Sequence, residues 1–345
     1  MRISILLAAV IAAAGSGLSH AQAPVGEALQ RPAVAVKAPQ RAVLLAAAEV
    51  GTRIVAVGER GIVALSDDRG ASWRQAPSPV SVTFTMVRFA DAKHGVAVGH
   101  GGTVLTTQDA GSTWRVRLDG RRLAALAKVA ATTPETLRDA ERLIADGPDK
   151  PFLDVLQWDA KRMLAVGAYG LAFYSADGGE SWTSWMDRLP NPKALHWYVA
   201  RRAGNSLLLA GEQGLLARSD DGGQTFQAMS TPYKGSWFTG ELRADGQAVL
   251  AGLRGNVWRS TDGGAQWSQL VSPVPATITA MAVAADGGLL LASQAGSVLL
   301  LQGDTLVPLK APPVPMPSAL LPLQDGSLLS LGVAGVVPVA AKESP

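Results

Sequence analysis

Cysteine is absent from the sequence, which excludes disulfides, thiolate metal ligands and a lipid anchor on sulfur, and makes the chain indifferent to redox state. Charge is scarce and nearly balanced: 17% of residues are charged, and 31 basic against 28 acidic side chains leave a formal net charge of +3. The basic residues are spread rather than run together, so the stripe and reading module of a nucleic-acid binder are missing and no nucleic-acid partner is expected. The four histidines, His20, His94, His100 and His196, form no helical pair at ligand spacing, so neither metal nor cofactor is expected. There is no Gly-x-Ser-x-Gly elbow and no phosphate loop opening a helix.

What the chain has instead is glycine (37), proline (21) and 48% apolar residues, a composition suited to many tight turns between buried strands. Five times a box Ser/Thr-x-Asp-x-Gly-x-x-Trp/Phe follows a short apolar run: Ser66 to Trp73, Thr107 to Trp114, Ser175 to Trp182, Ser219 to Phe226 and Ser260 to Trp267. Such periodicity marks a repeat architecture. The box is a turn in which Asp and Ser oxygens can accept from backbone N–H groups, glycine supplies positive φ, and the aromatic ring packs on the neighbouring repeat. Asp68, Trp73, Asp109, Trp114, Asp177, Trp182, Asp221, Phe226, Asp262 and Trp267 are therefore read as structural.

Ahead of each box a strand ends in a Gly-x-x-Gly turn, at Gly58, Gly99, Gly167, Gly211 and Gly252, with degenerate versions at Ser293 and Gly332. Seven repeats follow, each but the last with four short alternating strands, and this predicts an all-β, seven-bladed β-propeller of four-stranded blades spanning residues 41–345 as one domain. The last repeat lacks a fourth strand. The segment 22–40, through Pro32 to Val36, is expected to supply it and so remove an exposed sheet edge.

One repeat is long. Its extra residues, about 119–151, predict a helical hairpin inserted between blades 2 and 3, with apolar stripes at Leu123, Leu126 and Val129 and at Leu137, Ala140, Leu143 and Ile144, and a cap at Thr132 or Thr133. Residues 1–21, with Arg2, an apolar stretch and a small-residue exit, read as a signal peptide; no later segment is apolar enough to span a membrane. A periplasmic or secreted location is the expectation.

The joined pattern Val-Gly-x-x-Gly-x-x-x-x-x-Ser-x-Asp-x-Gly-x-x-Trp, clearest from Val57 to Trp73 and from Val166 to Trp182, resembles the photosystem II assembly and stability factor family over roughly Val43 to Val339. The resemblance implies a non-enzymatic, chaperone-like propeller that holds a client during assembly of a membrane complex, through an arginine-rich patch. Asp boxes occur in sialidases too, which share an arginine triad and a tyrosine paired with glutamate. The four tyrosines here show no such pairing; Glu59 and Glu212, in equivalent turns three repeats apart, could face each other across the channel as a carboxylate pair, but a place in a solvated turn is the expected explanation for both.

The expected function is an exported scaffold or assembly factor for an envelope protein or membrane complex, a transporter being one class; the alternatives are a glycan-binding propeller and a sialidase-like hydrolase. Strand connectivity places the Gly-x-x-Gly turns and the interblade connections on one face, opposite the boxes. Arg60, Arg254, Glu59, His100, Tyr169, Glu212, Gln213 and Trp237 are the partner-binding candidates there; Arg201, Arg202, Arg218, Arg243, Trp185 and Trp197 are weaker ones.

Overall fold

The computed structural model describes residues 27–339; the expected signal peptide lies outside them. Six four-stranded antiparallel sheets and one three-stranded sheet form seven blades, the strands of each running in chain order. The first strands, Leu44–Val50, Phe84–Phe89, Phe152–Gln157, Trp197–Ala203, Trp237–Leu242, Ile278–Val283 and Pro317–Pro322, touch one another in sequence, and the last returns to the first to close the ring.

The middle strands are buried on both faces, because each sheet is sandwiched between two others. Within Arg53–Gly58, Val55 and Val57 join the apolar cluster shared with blade two, whereas Ile54 and Ala56 join the one shared with blade seven. Seven such clusters fill the seven blade junctions. Strict alternation of strand side chains thus serves two neighbours at once.

The boxes close the turns on one face as expected. In the first, Asp68 Oδ1 accepts from Ser72 N–H at 2.8 Å, Ser66 Oγ accepts from Gly70 N–H at 2.7 Å, and Trp73 Nε1 donates to Gly70 O at 3.0 Å. Hydrogen bonds from the Ser72 hydroxyl and N–H hold the Asp68 carboxyl down to about 2. Each box aromatic packs on the preceding blade: Trp114 joins the cluster with Val55 and Leu65, and Trp267 the one with Val199 and Leu208.

Ring closure differs from the expectation. Pro32 to Val36 does not extend blade seven but lies along the outer strand of blade one (Arg74–Ala76). Ala33 N–H donates to Ser78 O at 3.1 Å, and the Gln75 amide brackets the segment, accepting from Val36 N–H at 2.8 Å and donating to Val34 O at 3.1 Å. Pro32 and Pro39 lack the donors a ladder needs, and the turn Pro39–Arg41 then delivers the chain to the junction with blade seven, against Gly335. The ring is held shut there by the cluster of Leu44, Ile54, Ala64, Leu321, Leu329 and Leu331.

The insertion is a helical hairpin, α1 (Gly120–Ala130) and α2 (Pro134–Asp146), between blades two and three. Asp119 caps α1, and Thr133 caps α2 in a reciprocal box with Thr136. Leu123, Ala124, Ala127, Ala140 and Leu143 are buried and extend the core between the two blades. Val129, Leu137 and Ile144 instead are 86%, 40% and 48% exposed. At about 100° per residue, a three-residue step loses about 60° each time, so Val129 has rotated off the face that Leu123 occupies.

Candidate functional site

The Gly-x-x-Gly turns build the face opposite the boxes, and one geometry explains each position. A Cβ on the first glycine would stand 1.9–2.2 Å from a carbonyl at the start of the same blade's first strand: Val43, Thr83, Pro151, His196 and Ser236. In four of the turns the second residue donates its N–H to that same carbonyl at 2.9–3.0 Å. The third residue is left-handed: Arg60, Tyr169, Gln213 and Arg254 have φ of 51°, 55°, 54° and 55°, and all four side chains are exposed. Non-glycine residues rarely adopt this conformation, so their side chains are displayed at a conformational cost of order 1 kcal/mol apiece. In blade two the position is Gly101, covered by Leu29.

The second-position carboxylates have structural partners. Glu59 Oε1 accepts from Val43 N–H at 3.0 Å, and Glu212 Oε2 from His196 N–H at 3.2 Å. Each anchors its own blade. Trp237, expected to bind a partner, is instead fully buried, tilted against Tyr233 at 4.6 Å and stacked over Trp267, and it fills space between blades. Trp185 and Trp197 are buried likewise. Arg218 pairs with Asp220, Arg202 donates to Gly204 O and Arg243 to Gly287 O, all away from this face.

What the face does assemble is an aromatic row across blades three to five. Tyr169 lies 4.9 Å from His196, His196 6.0 Å from Tyr198, and Tyr198 5.3 Å from Phe238, centroid to centroid. The Lys150 ammonium sits 5.4 Å over the Tyr169 ring, itself nearly buried and held by Asp146 at 3.1 Å and Asp149 at 3.7 Å. His196 Nδ1 is 3.0 Å from Glu212 Oε2. Burial, aided by the Glu212 charge, raises the Tyr198 phenol, which therefore stays protonated. Tyr169 is the common wall of two depressions: one of about 340 Å³ between the helical hairpin and the connection 186–194, and one of about 570 Å³ shared with His100, Lys150 and Asp149.

The row ends at the central channel, a cavity of about 610 Å³ lined by the first strands. Its charged groups are mutually committed. Asp154, 1% exposed, is met by Arg88 at 3.0 Å and Arg201 at 2.5 Å, and accepts from Val155 and Ala200 N–H; Arg201 Nε lies 3.6 Å from Glu241. Burial works to raise the Asp154 carboxyl, and the two guanidinium charges with these hydrogen bonds override it, so it is lowered. Cation and anion alternate across blades two to five.

Lys150, His196, Tyr198, Phe238 and, beside the weaker candidate Arg201, its ion-pair partners Arg88, Asp154 and Glu241 are not singled out as binding residues by the sequence. A signal existed: the first strands of blades four and five both open on a Trp-aromatic pair, Trp197-Tyr198 and Trp237-Phe238. With register counted from the turn glycine, the first ring is buried and the second faces the channel mouth.

Fold and site together define an Asp-box β-propeller with an ion-paired channel and, opposite the boxes, a face built from turns and connections. Residues 139–304, just under half of the chain, match the family described as photosynthesis system II assembly factor YCF48. The structure is similar to that of a YCF48 bound to a D1 peptide (16% identity, TM-score 0.64, covering 90% of this chain and 97% of that one). It is similar also to YCF48 from Cyanidioschyzon merolae (15%, TM-score 0.63, 90% and 99%). The WD40 propeller domain of Doa1 superposes as well (9%, TM-score 0.63, 92% and 97%), so at these identities the likeness concerns the fold. No curated protein sequence matches the chain.

Proposed function

We propose that this protein is a non-enzymatic scaffold or assembly factor, exported to the cell envelope, that holds a segment of an envelope or membrane protein on its Gly-x-x-Gly face. The observation that carries the reading is the row Tyr169, His196, Tyr198 and Phe238, flanked by Lys150 and by the displayed Gln213 and Arg254. Aromatic rings give large contact area at low conformational cost, and the adjoining depression between the hairpin and the connection 186–194 adds further lining beside Tyr169. The YCF48 bound to a D1 peptide supports a protein partner for this architecture. Against hydrolysis, Arg88 and Arg201 are occupied by Asp154 and Glu241, and Tyr198 is pushed away from ionisation.

Tyr198 and Phe238 at the channel mouth favour a glycan as the second reading. Sugars stack on open ring faces, whereas these two rings meet edge to face at 70° and are half-buried. The test is capture of partners from gently solubilised envelopes by the tagged chain and by a Tyr169→Ala, Tyr198→Ala variant. A stoichiometric protein reduced about tenfold or more with the variant supports the scaffold. Equal capture by both removes the row from the site, and binding on a glycan array in place of any protein turns the reading to the sugar.

A further inference from the structure

The other arc of the same face, over blades five to seven, has a different chemistry. Leu253 in the turn of blade five, Val271 in the next connection, Met316 in the connection to blade seven and Val333 in its turn are 39%, 83%, 53% and 47% exposed. Between them stand exposed Arg254 and Lys310, with Arg41 at the junction with blade one, and none of the three makes an ion pair among the described residues. The connections 39–43, 271–277 and 309–316 and the turns 253–254, 294–295 and 333–334 contain no Asp or Glu. Pro273, Pro275, Pro312, Pro313 and Pro315 stiffen the two longer connections, so the apolar tips are presented with little ordering left to do.

We infer that this arc is a docking surface for an anionic lipid bilayer, which sets the propeller face-down on the membrane. Three features select a bilayer over a protein. The complement must be negative, because cations stand here without carboxylates. The apolar residues are separate tips along an arc, whereas the depressions on this face are walled by blades two to four and the hairpin. A headgroup layer admits single side chains at scattered points, while a folded partner needs a contiguous patch. No helix among the described residues is long and apolar enough to cross a membrane, so attachment by this arc is peripheral.

The test is co-sedimentation of the full chain with vesicles of phosphatidylcholine alone and of phosphatidylcholine with phosphatidylglycerol. Binding to the anionic vesicles only, weakened by salt, is expected. Arg254→Ala with Lys310→Ala should lower partitioning roughly thirty-fold, two cations' worth at a surface. Met316→Ser with Val333→Ser should lower it at unchanged salt dependence, and Lys161→Ala on the box face should leave it unchanged. Thermal melts of all variants check folding. Equal binding to neutral vesicles, no binding, or binding that survives all four substitutions overturns the inference. So does binding that is lost equally with Lys161→Ala; a protein captured through these four residues without lipid overturns it in favour of a protein partner.

Discussion

Leu29 stands over Gly101, its Cδ2 at 2.8 Å from where a Cβ on that glycine would be. The N-terminal strap thereby covers in blade two the turn position that displays Arg60, Tyr169, Gln213 and Arg254 elsewhere. It continues beside the connection 77–82, where Ser81 N–H donates to Ala28 O at 2.8 Å. Gly101→Tyr should expel the strap. Amide exchange at Ser81 should quicken at least about tenfold with the global unfolding free energy little changed, since strap and ring are separate cooperative units. Unchanged exchange would show that the strap does not depend on this contact.

Asp154→Ala leaves Arg88 and Arg201 facing the channel without their shared anion. Loss of one member of a buried ionic cluster costs about 3–5 kcal/mol, the lower end applying here because Arg88 is 32% exposed. Urea unfolding measures it, and a loss under about 1 kcal/mol would mean that solvent already screens the chain of charges.

Stability should fall in acid, over a defined range. The box carboxyls and Asp154 titrate lower in the folded state than the ordinary value near 3.9 of an unfolded aspartate. A depressed folded pKa contributes stability that is complete above the unfolded value and is lost as protons bind the folded carboxylate. The urea midpoint should therefore be level from pH 7 to about 5 and decline between about 4 and 2, where Asp68 titrates. A midpoint that stays level down to about pH 2 would refute this account.

Two glycine substitutions separate conformation from space. Gly222 has φ of +75° and open surroundings, so Gly222→Ala should cost about 1 kcal/mol. Gly252 is extended, but a Cβ there would meet Ser236 O at 1.9 Å, so Gly252→Ala must move the first strand of blade five and should cost more than about 3 kcal/mol. Chemical denaturation of both variants gives the comparison, and similar costs would refute the steric account of the turn's first glycine.

Conversely, Gln213→Gly should stabilise the protein by up to about 0.5 kcal/mol, relief of left-handed strain being partly offset by glycine's larger unfolded entropy. If the displayed side chain serves binding, partner capture should weaken in the same variant. A variant both destabilised and fully binding would show that Gln213 is held there for packing.

Much of the architecture was legible because it is local and repeated. The Ser-x-Asp-x-Gly-x-x-Trp boxes and the Gly-x-x-Gly turns need particular residues at particular φ angles and distances, so blade number, the insertion between blades two and three and the face carrying Glu59, Arg60, His100 and Tyr169 could all be read in one dimension. Trp237 was misplaced because a ring at the start of a strand can face a neighbouring blade or the solvent, and only register decides. The strap was misplaced because Pro32 to Val36 has no pattern that distinguishes the edge of blade one from that of blade seven; the Gln75 side chain makes that choice. The tertiary structure alone decided that Tyr169, His196, Tyr198 and Phe238 form a row and that Arg88, Asp154, Arg201 and Glu241 neutralise one another. Those residues lie in different blades, and ring closure, the burial of apolar surface at seven junctions, brings them together with no trace in local sequence.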